Sequence, residues 1–280
     1  MRQPFLGRFL RILLRAYLIL FAVLVIAPLL WTVYSSFKTN QEFFQNPWAL
    51  PDSLQIQNYI TAWNKANIGK YFFNSVIVTG IVVTANALLG SMTAYACTRL
   101  RLKCGRFTTL FYMAGMFVPT VLCVVPMFLQ LQRLSLLDNL LGLILLYIAV
   151  NMPFTVFVLC GFFETLPHEL EEAASIDGCG FFRTYWNIML PLVKPGLATV
   201  SLFNFLGTWN EFVLAKTMIF SETKNTLPMG LVSLMQTSMY QADWSSLFAA
   251  LIIVMIPTLV IYIVFQKYIT SGVTAGAVKG

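Results

Sequence analysis

The stretch FETLPHELEEAASIDGCGFFRTYWNIMLPLVKP, Phe163–Pro195, determines how the rest of the chain is interpreted. It holds five of the eleven acidic residues and lies between long apolar runs. Pro167 suits a first helical turn, acidic residues follow where the helix dipole favours them, and Gly178 can adopt the positive φ that ends a helix. The pattern predicts two short helices with an acidic rim, which is typical of a docking site for another protein.

Helical spacing places similar side chains on one side of each predicted helix of this stretch. The first has a small, largely apolar side formed by Leu170, Ala173, Ala174 and Asp177. The second, at about residues 180–190, has a face formed by Phe181, Tyr185, Ile188 and Met189 and widened by Phe182 and Trp186. The alternative is a hairpin that lies on lipid, but such interfacial helices are usually basic rather than acidic.

The composition indicates an all-α, polytopic membrane protein. Of 280 residues, 58% are hydrophobic and 10% are charged, whereas soluble domains carry about 25% charged residues. The net charge of +7 comes from basic residues beside apolar segments, which is the distribution of topology signals and not of a nucleic-acid surface. The five cysteines form no CxxC pair, there is one histidine, and no phosphate-binding loop occurs. We therefore expect the chain itself to bind no metal, nucleotide or other cofactor.

Hydropathy predicts a single transmembrane domain of six spans over residues 1–280. The spans lie at about 16–37, 71–98, 107–131, 139–163, 196–220 and 247–265. Residues 38–70 are predicted to form an external loop with a short helix around Asn58–Asn64, and residues 221–246 a second external loop. The first apolar run is too long for the core of a signal peptide, so we expect it to remain as a span.

The charge distribution predicts cytoplasmic N- and C-termini. With six spans this orientation places 12 of the 18 Lys and Arg residues inside, and the cluster between Arg99 and Arg106 is the strongest inside marker after the N-terminus. The segment 164–195 and the tail 266–280 are then also cytoplasmic. The placement of 164–195 depends on the number of spans, since its own charge is mostly acidic.

Polar residues within the predicted spans favour a conduit. Asn86, Asn204, Asn210 and Glu211 are tolerated at membrane depth when neighbouring helices or a water-filled cavity satisfy them. Asn210 and Glu211 are the candidate residues of the translocation pathway. Two interpretations of Glu211 stay open: a wall group or outer gate of the pathway, or a helix–helix hydrogen bond or interfacial acid near Lys216.

The stretch resembles the EAA motif of ABC importer permeases. Glu172-Ala173-Ala174, three residues, Gly178, nine residues, Ile188, one residue and Leu190-Pro191 match that motif at every position. Trp209–Phe212 (WNEF) and Tyr268–Gly280 (YITSGVTAGAVKG) are similar to the MalG-like branch, which serves binding-protein-dependent carbohydrate import. The resemblance covers nearly the whole chain and implies the type I ABC importer permease fold.

The resemblance also implies partners and residue roles. A second permease subunit, a MalF-like homologue, would complete the pathway, a cytoplasmic ATPase dimer would bind ATP and Mg²⁺, and an extracytoplasmic solute-binding protein would deliver a sugar or oligosaccharide in the plasma membrane of a prokaryote. Residues 169–178 would be the coupling helix. The coupling residues would be Glu172, Ala173, Ala174, Asp177, Gly178, Ile188, Leu190 and Pro191. The last three of these would pack the second helix against the spans. The chain would be a non-catalytic subunit.

Three other functions remain as alternatives. An ABC permease for glycerol phosphate, a polyamine or another small solute differs only in cargo, and nothing in the spans selects a sugar directly. A self-contained secondary transporter predicts internal repeats and intramembrane ion-pair relays, of which the sequence gives no clear sign. An integral membrane enzyme lacks support from any nucleophile–base or metal-ligand cluster.

Overall fold

The structure, a computed structural model, describes residues 5–100, 102 and 104–277. These residues are mostly helical and include no β-strand. In chain order the helices are α1 (Phe5–Ser35), α2 (Asn40–Gln45), α3 (Gln57–Ile60), α4 (Ile68–Arg99), α5 (Gly105–Met116), α6 (Val124–Arg133), α7 (Leu140–Glu164), α8 (Glu169–Ile176), α9 (Phe181–Thr184), α10 (Leu190–Leu192), α11 (Lys194–Trp209), α12 (Val213–Met218), α13 (Leu227–Gln241) and α14 (Trp244–Ala277). Single π-helical segments extend α3 (Thr61–Lys65) and join α9 to α10 (Tyr185–Met189).

Four helices, α1, α4, α7 and α14, are long and apolar enough to cross a membrane. Two bent helix pairs, Gly105–Met116 with Thr120–Arg133 and Phe181–Leu192 with Lys194–Trp209, bring the number to six if each pair is one span. The expected all-α, polytopic class is confirmed. Asn139 begins α7 by accepting a hydrogen bond from the Leu141 N–H, which satisfies one of the free donors at a helix start.

The third predicted span, about 107–131, is not one straight helix. Its two halves, α5 and α6, meet at 93°. Pro119 lies at the break in an extended conformation, and a 3₁₀ turn, Thr120–Cys123, leads into α6. Proline has no N–H and disfavours a helical conformation of the residue before it, which favours a break at this position.

The second half of the chain corrects three predicted boundaries. The fifth predicted span, 196–220, ends at Trp209, and α12 is a separate short helix. The predicted external loop 221–246 contains the fifteen-residue helix α13. α14 runs beyond the predicted end of the sixth span to Ala277, so most of the predicted tail 266–280 is helical. The last three residues of that tail, 278–280, lie outside the described residues.

One compact unit comprises Met1–Gly69 and Leu231–Met255. In it, aromatic rings of Trp31, Phe43 and Phe248 pack with centroids 5.1–6.0 Å apart. Lys38 is fully buried and its ammonium donates to the carbonyls of Asn46 and Pro47, while burial lowers its pKa.

The predicted short helix near Asn58 is confirmed. Sequence reasoning missed α2, although its capping box, Thr39 with Glu42, is visible in the sequence.

The other unit comprises Lys70–Gly230 and Ile256–Gly280 and has two apolar cores. The first core joins α4, α6, α7 and α12 through side chains such as Val78, Leu131, Leu143 and Met218. The second joins the C-terminal halves of α4 and α7 to the segment that follows α8 and to α11. Two of the predicted site residues, Ile188 and Leu190, pack against this second core.

Candidate functional site

α8 forms the first arm of a hairpin at the C-terminal ends of α4 and α7. Three acidic residues, Glu169, Glu171 and Glu172, occupy its first turn, where the helix dipole stabilises negative charge. Gly178 has φ +75°, and the Cys179 N–H donates to the Ala174 carbonyl at 2.9 Å. The predicted helix end at this glycine is confirmed, because only glycine takes this conformation without strain.

The two sides of α8 differ from the sequence-based grouping. Ala174 is buried and Leu170 packs against the second core, whereas Ala173 and Asp177 are exposed. Ile176 is 86% exposed. The predicted side is therefore divided between core and surface, because a contact with the core covers only the stripe of a helix nearest to it, and residue 173 is about 100° away from residue 174. The exposed side carries Glu172, Ala173, Ile176 and Asp177.

Glu171 is held from inside the protein. Its carboxylate accepts a hydrogen bond from the Arg99 Nε at 2.9 Å, and the Arg99 side chain is only 2% exposed. Sequence reasoning missed this pair because the two residues are 72 positions apart. Glu172, the next residue, is exposed. Glu171 is therefore paired within the chain, whereas the neighbouring Glu172 is accessible at the surface.

The second arm, Phe181–Leu192, begins after Gly180 and contains a π-helical segment. Tyr185 and Met189 are buried, but Phe181 and Phe182 are 73% and 74% exposed, so the expected common face of these residues is divided between core and surface. Ile188 and Leu190 pack against the second core as expected. The predicted packing of Pro191 is wrong, since it is exposed at the end of the arm.

A cleft of about 610 Å³ lies between the arms and α4. Its walls include Tyr95, Arg99, Glu171, Glu172 and Phe181. Within the described residues, no group of three or more His, Cys, Asp or Glu side chains has an arrangement that could hold a metal ion. The walls of the cleft thus combine charged and apolar side chains.

Glu211 lies in the break between α11 and α12. Its carboxylate accepts hydrogen bonds from the Tyr147 hydroxyl at 2.5 Å and from the N–H groups of Leu214 and Ala215 at 2.7 and 3.0 Å. Glu211 therefore caps α12 and links it to α7. Asn210 is exposed, and its side-chain amide donates to the Leu206 carbonyl.

Glu211 also lines a cavity of about 270 Å³ together with Tyr147, Asn151 and Thr208. Glu211 thus borders a cavity and makes a helix–helix hydrogen bond at the same time. Sequence reasoning missed Tyr147, Asn151 and Thr208, because a single tyrosine, asparagine or threonine in an apolar run gives no spacing pattern.

A line of polar side chains continues from this cavity between α7 and α11. The Asn151 amide donates to the Thr208 hydroxyl at 3.3 Å, and the Asn204 amide donates to the Thr155 hydroxyl at 3.0 Å. Asn86 is fully buried in α4, and its carboxamide has no hydrogen-bond partner among the described residues. The Asn151–Thr208 and Asn204–Thr155 hydrogen bonds satisfy polar groups that could not form hydrogen bonds with lipid.

Asp138 joins two loops at the N-terminal end of α7, the one that precedes α7 and the one that follows α12. Its carboxylate accepts from the N–H groups of Phe220 and Ser221 at 3.0 and 2.8 Å, from the Ser221 hydroxyl and from the Lys224 ammonium. These bonds, that of the Ser221 hydroxyl foremost, hold the pKa of Asp138 well below its usual range.

Comparison with known proteins gives a consistent result. Residues 86–275 match the family described as binding-protein-dependent transport system inner membrane component. The chain is 43% identical over 264 residues to the diacetylchitobiose uptake system permease protein NgcG of Streptomyces coelicolor, covering 94% of this chain and 87% of that protein. It is 31% identical over 272 residues to the trehalose/maltose transport system permease protein MalG of Thermococcus litoralis, covering 96% and 97%.

Among solved structures, the chain resembles one from a bacterial ABC transporter involved in the import of the acidic polysaccharide alginate. The TM-score is 0.82 at 23% identity, over 96% of this chain and 99% of that one, so this likeness concerns the fold. The family match covers more than half of the sequence, and the curated relatives extend over nearly all of it. The chain therefore belongs to the inner-membrane components of binding-protein-dependent transport systems and is a permease of the ABC importer class.

Proposed function

We propose that this chain provides part of the translocation pathway for a sugar or oligosaccharide, driven by ATP that a separate ATPase subunit hydrolyses. The names of the relatives support carbohydrate cargo, since they include permeases for diacetylchitobiose and for trehalose and maltose. A second permease subunit completes the pathway, and a solute-binding protein delivers the cargo at the outer surface. A second solved structure of similar fold supports the last point, because it is a bacterial alginate ABC transporter in complex with a pentasaccharide-bound periplasmic protein.

The ATPase-docking site is α8 with the turn that follows it. One observation carries this assignment: the outer side of the helix exposes Glu172, Ala173 and Ile176, while the inner side is fixed by Ala174 in the core and by the Glu171–Arg99 pair. Small and apolar side chains allow close approach, and an exposed acid is available for a basic group of the partner. Gly178 sets the turn, and Ile188 and Leu190 join the second arm to the spans.

We expect Glu172→Lys to uncouple solute transport from ATP hydrolysis, because the reversed charge repels the basic group that the acid would pair with. The measurement is solute uptake and ATP hydrolysis by the complete importer in proteoliposomes. Glu164→Lys is the matched control, since Glu164 is also exposed and lies just before the hairpin at the end of α7. Transport by the Glu172 variant at the rate of the unmodified complex contradicts the docking site.

The cargo is tested through the companion solute-binding protein. Calorimetric titration with diacetylchitobiose, maltose, trehalose and glycerol 3-phosphate separates a carbohydrate importer from the other small-solute permeases. Binding of a sugar and uptake of the same sugar by the complex support the proposal. Binding of glycerol 3-phosphate alone contradicts the carbohydrate assignment but leaves the docking site unaffected.

A further inference from the structure

Arg99 connects three parts of the protein. It is the last residue of α4, and its Nε donates to Glu171 on α8. Its Nη1 donates to the Leu166 carbonyl at 3.0 Å and, at 3.4 Å, to the Phe163 carbonyl near the end of α7. Its Nη2 donates to the Pro167 carbonyl at 2.9 Å. One guanidinium thus joins the end of one span, the end of another and the first arm of the hairpin.

The chemistry of these contacts requires arginine. A guanidinium has five N–H donors in a fixed plane, and three of its nitrogens are used here in different directions. A lysine ammonium is a point charge on a flexible stem and cannot reach the same acceptors simultaneously. The carbonyls of Leu166 and Pro167 lie in the connection between α7 and α8, where helical hydrogen bonds are lacking. Arg99 therefore satisfies these two carbonyl groups and fixes the orientation of the connection.

The last turns of α4 also contact the second arm. The Tyr95 ring packs against Phe163 and Tyr185 with centroids 5.6 and 5.3 Å apart. The hydroxyl groups of Ser91 and Tyr185 are hydrogen-bonded at 2.7 Å and buried. Both arms of the hairpin are consequently fixed to the same end of α4, the first by ionic and hydrogen bonds and the second by packing.

We infer that Arg99 is the positioning residue through which movement of the docking helix reaches the membrane spans. This inference rests on the proposed function, in which an ATPase binds the outer side of α8. In the proposed complex Glu172 on α8 contacts the ATPase, and Arg99 connects α8 to the spans α4 and α7. Movement of α8 by the ATPase would therefore reach the spans through Arg99. Loss of the Arg99 contacts leaves α8 able to bind the ATPase but no longer tied to α4 and α7.

The test separates docking from transmission in the complete importer. A photo-activatable cross-linker is attached to Ile176→Cys, on the exposed side of α8, in a chain whose five native cysteines are replaced. In this background Arg99→Lys should cross-link to the ATPase as the parent does. The amount of solute transported per ATP should fall about fivefold or more, the range of a typical coupling free energy.

Arg106→Lys is the matched control, because Arg106 belongs to the same basic cluster and is exposed. An unchanged ratio of transport to hydrolysis in Arg99→Lys overturns the inference, and so does loss of its cross-link. If Arg99→Lys fails to assemble, Glu171→Gln tests the same ion pair, and an unchanged ratio there is equally contradictory. Retention of the cross-link in Glu172→Lys, by contrast, contradicts the pairing of Glu172 with a basic group of the ATPase and not the role of Arg99.

Discussion

Two adjacent glutamates on α8 have opposite environments. Glu171 is bonded to Arg99 and only 18% of its side chain is exposed, whereas Glu172 is exposed. Successive helical residues are about 100° apart, so an inward and an outward acid can be neighbours in sequence. The sequence could predict that the segment needs a basic partner but not that its own chain supplies one to Glu171. This difference decides which acid remains available for another subunit.

The hydrogen bonds of the Asp138 carboxylate predict that the stability of the protein depends on pH. We expect Asp138→Asn to lower the free energy of unfolding at neutral pH by about 1 kcal/mol, because the amide loses the charge that Lys224 and Ser221 bond to. The folded pKa is depressed, so the carboxylate stabilises the protein fully above its unfolded pKa of about 3.9 and progressively less as the pH falls below that value. Thermal unfolding of the detergent-purified protein measures the difference between the two proteins.

The difference in melting temperature should shrink as the pH falls from about 6 to about 3, because only the unmodified protein loses the contribution of Asp138. Asp52→Asn is the control, since Asp52 is exposed in a loop. A difference that is independent of pH over this range contradicts the stabilising role of the ionised Asp138.

At the scale of elements, the sequence predicted which segments are long apolar helices but not where they break. α4 and α7 begin and end within a few residues of the predicted spans, because hydropathy measures length and composition. The fifth span was predicted to continue to 220 because residues 212–220 are also largely apolar. Glu211, in the break at 210–212, is bonded to Tyr147, which is 64 residues away in the sequence. No local pattern could reveal that pair.

The Tyr147–Glu211 bond should stabilise the junction of α7 with α12. In a double-mutant cycle with Tyr147→Phe and Glu211→Gln, we expect an interaction energy of about 1 kcal/mol. The reason is that Tyr147→Phe removes one donor to the Glu211 carboxylate, while Glu211→Gln replaces a charged acceptor with a weaker neutral one, in a cavity that is mostly apolar. Unfolding by sodium dodecyl sulfate in mixed micelles measures the energies.

Tyr112→Phe is the control for removal of a hydroxyl group from a half-buried tyrosine in a span. Additive effects of the two changes contradict the assigned bond. Uptake by the Glu211→Gln variant provides a second readout: unchanged uptake and an unchanged solute profile assign Glu211 to structure alone, while a changed profile assigns it to the pathway wall.

At the scale of the whole molecule, the long-range contacts agree with the predicted number of spans. Arg99 and Glu171 are expected on the cytoplasmic side, and Asp138 and Ser221 on the outer side, if the chain crosses the membrane six times. Each of these pairs is bonded in the structure. Loss of the third, fourth or fifth span alone would place the members of at least one pair on opposite sides of the bilayer. The sides and the docking role are predictions from the sequence, whereas the contacts of Arg99 with the first arm and with the end of α7 join residues 64 to 72 positions apart and became visible only in the fold.

The absolute orientation rests on the excess of Lys and Arg on one side, so it needs its own measurement. We expect Ser53→Cys to react with a membrane-impermeant maleimide in intact cells that express the importer, and Ser175→Cys to react only after permeabilisation. Both positions are exposed, and the five native cysteines are replaced in both proteins. Thr223→Cys and Thr165→Cys, also exposed, provide an independent pair for the outer and inner sides. The reverse labelling pattern would invert the orientation and leave α8 unable to reach a cytoplasmic ATPase, whereas labelling of both members of a pair from one side would contradict the six-span parity.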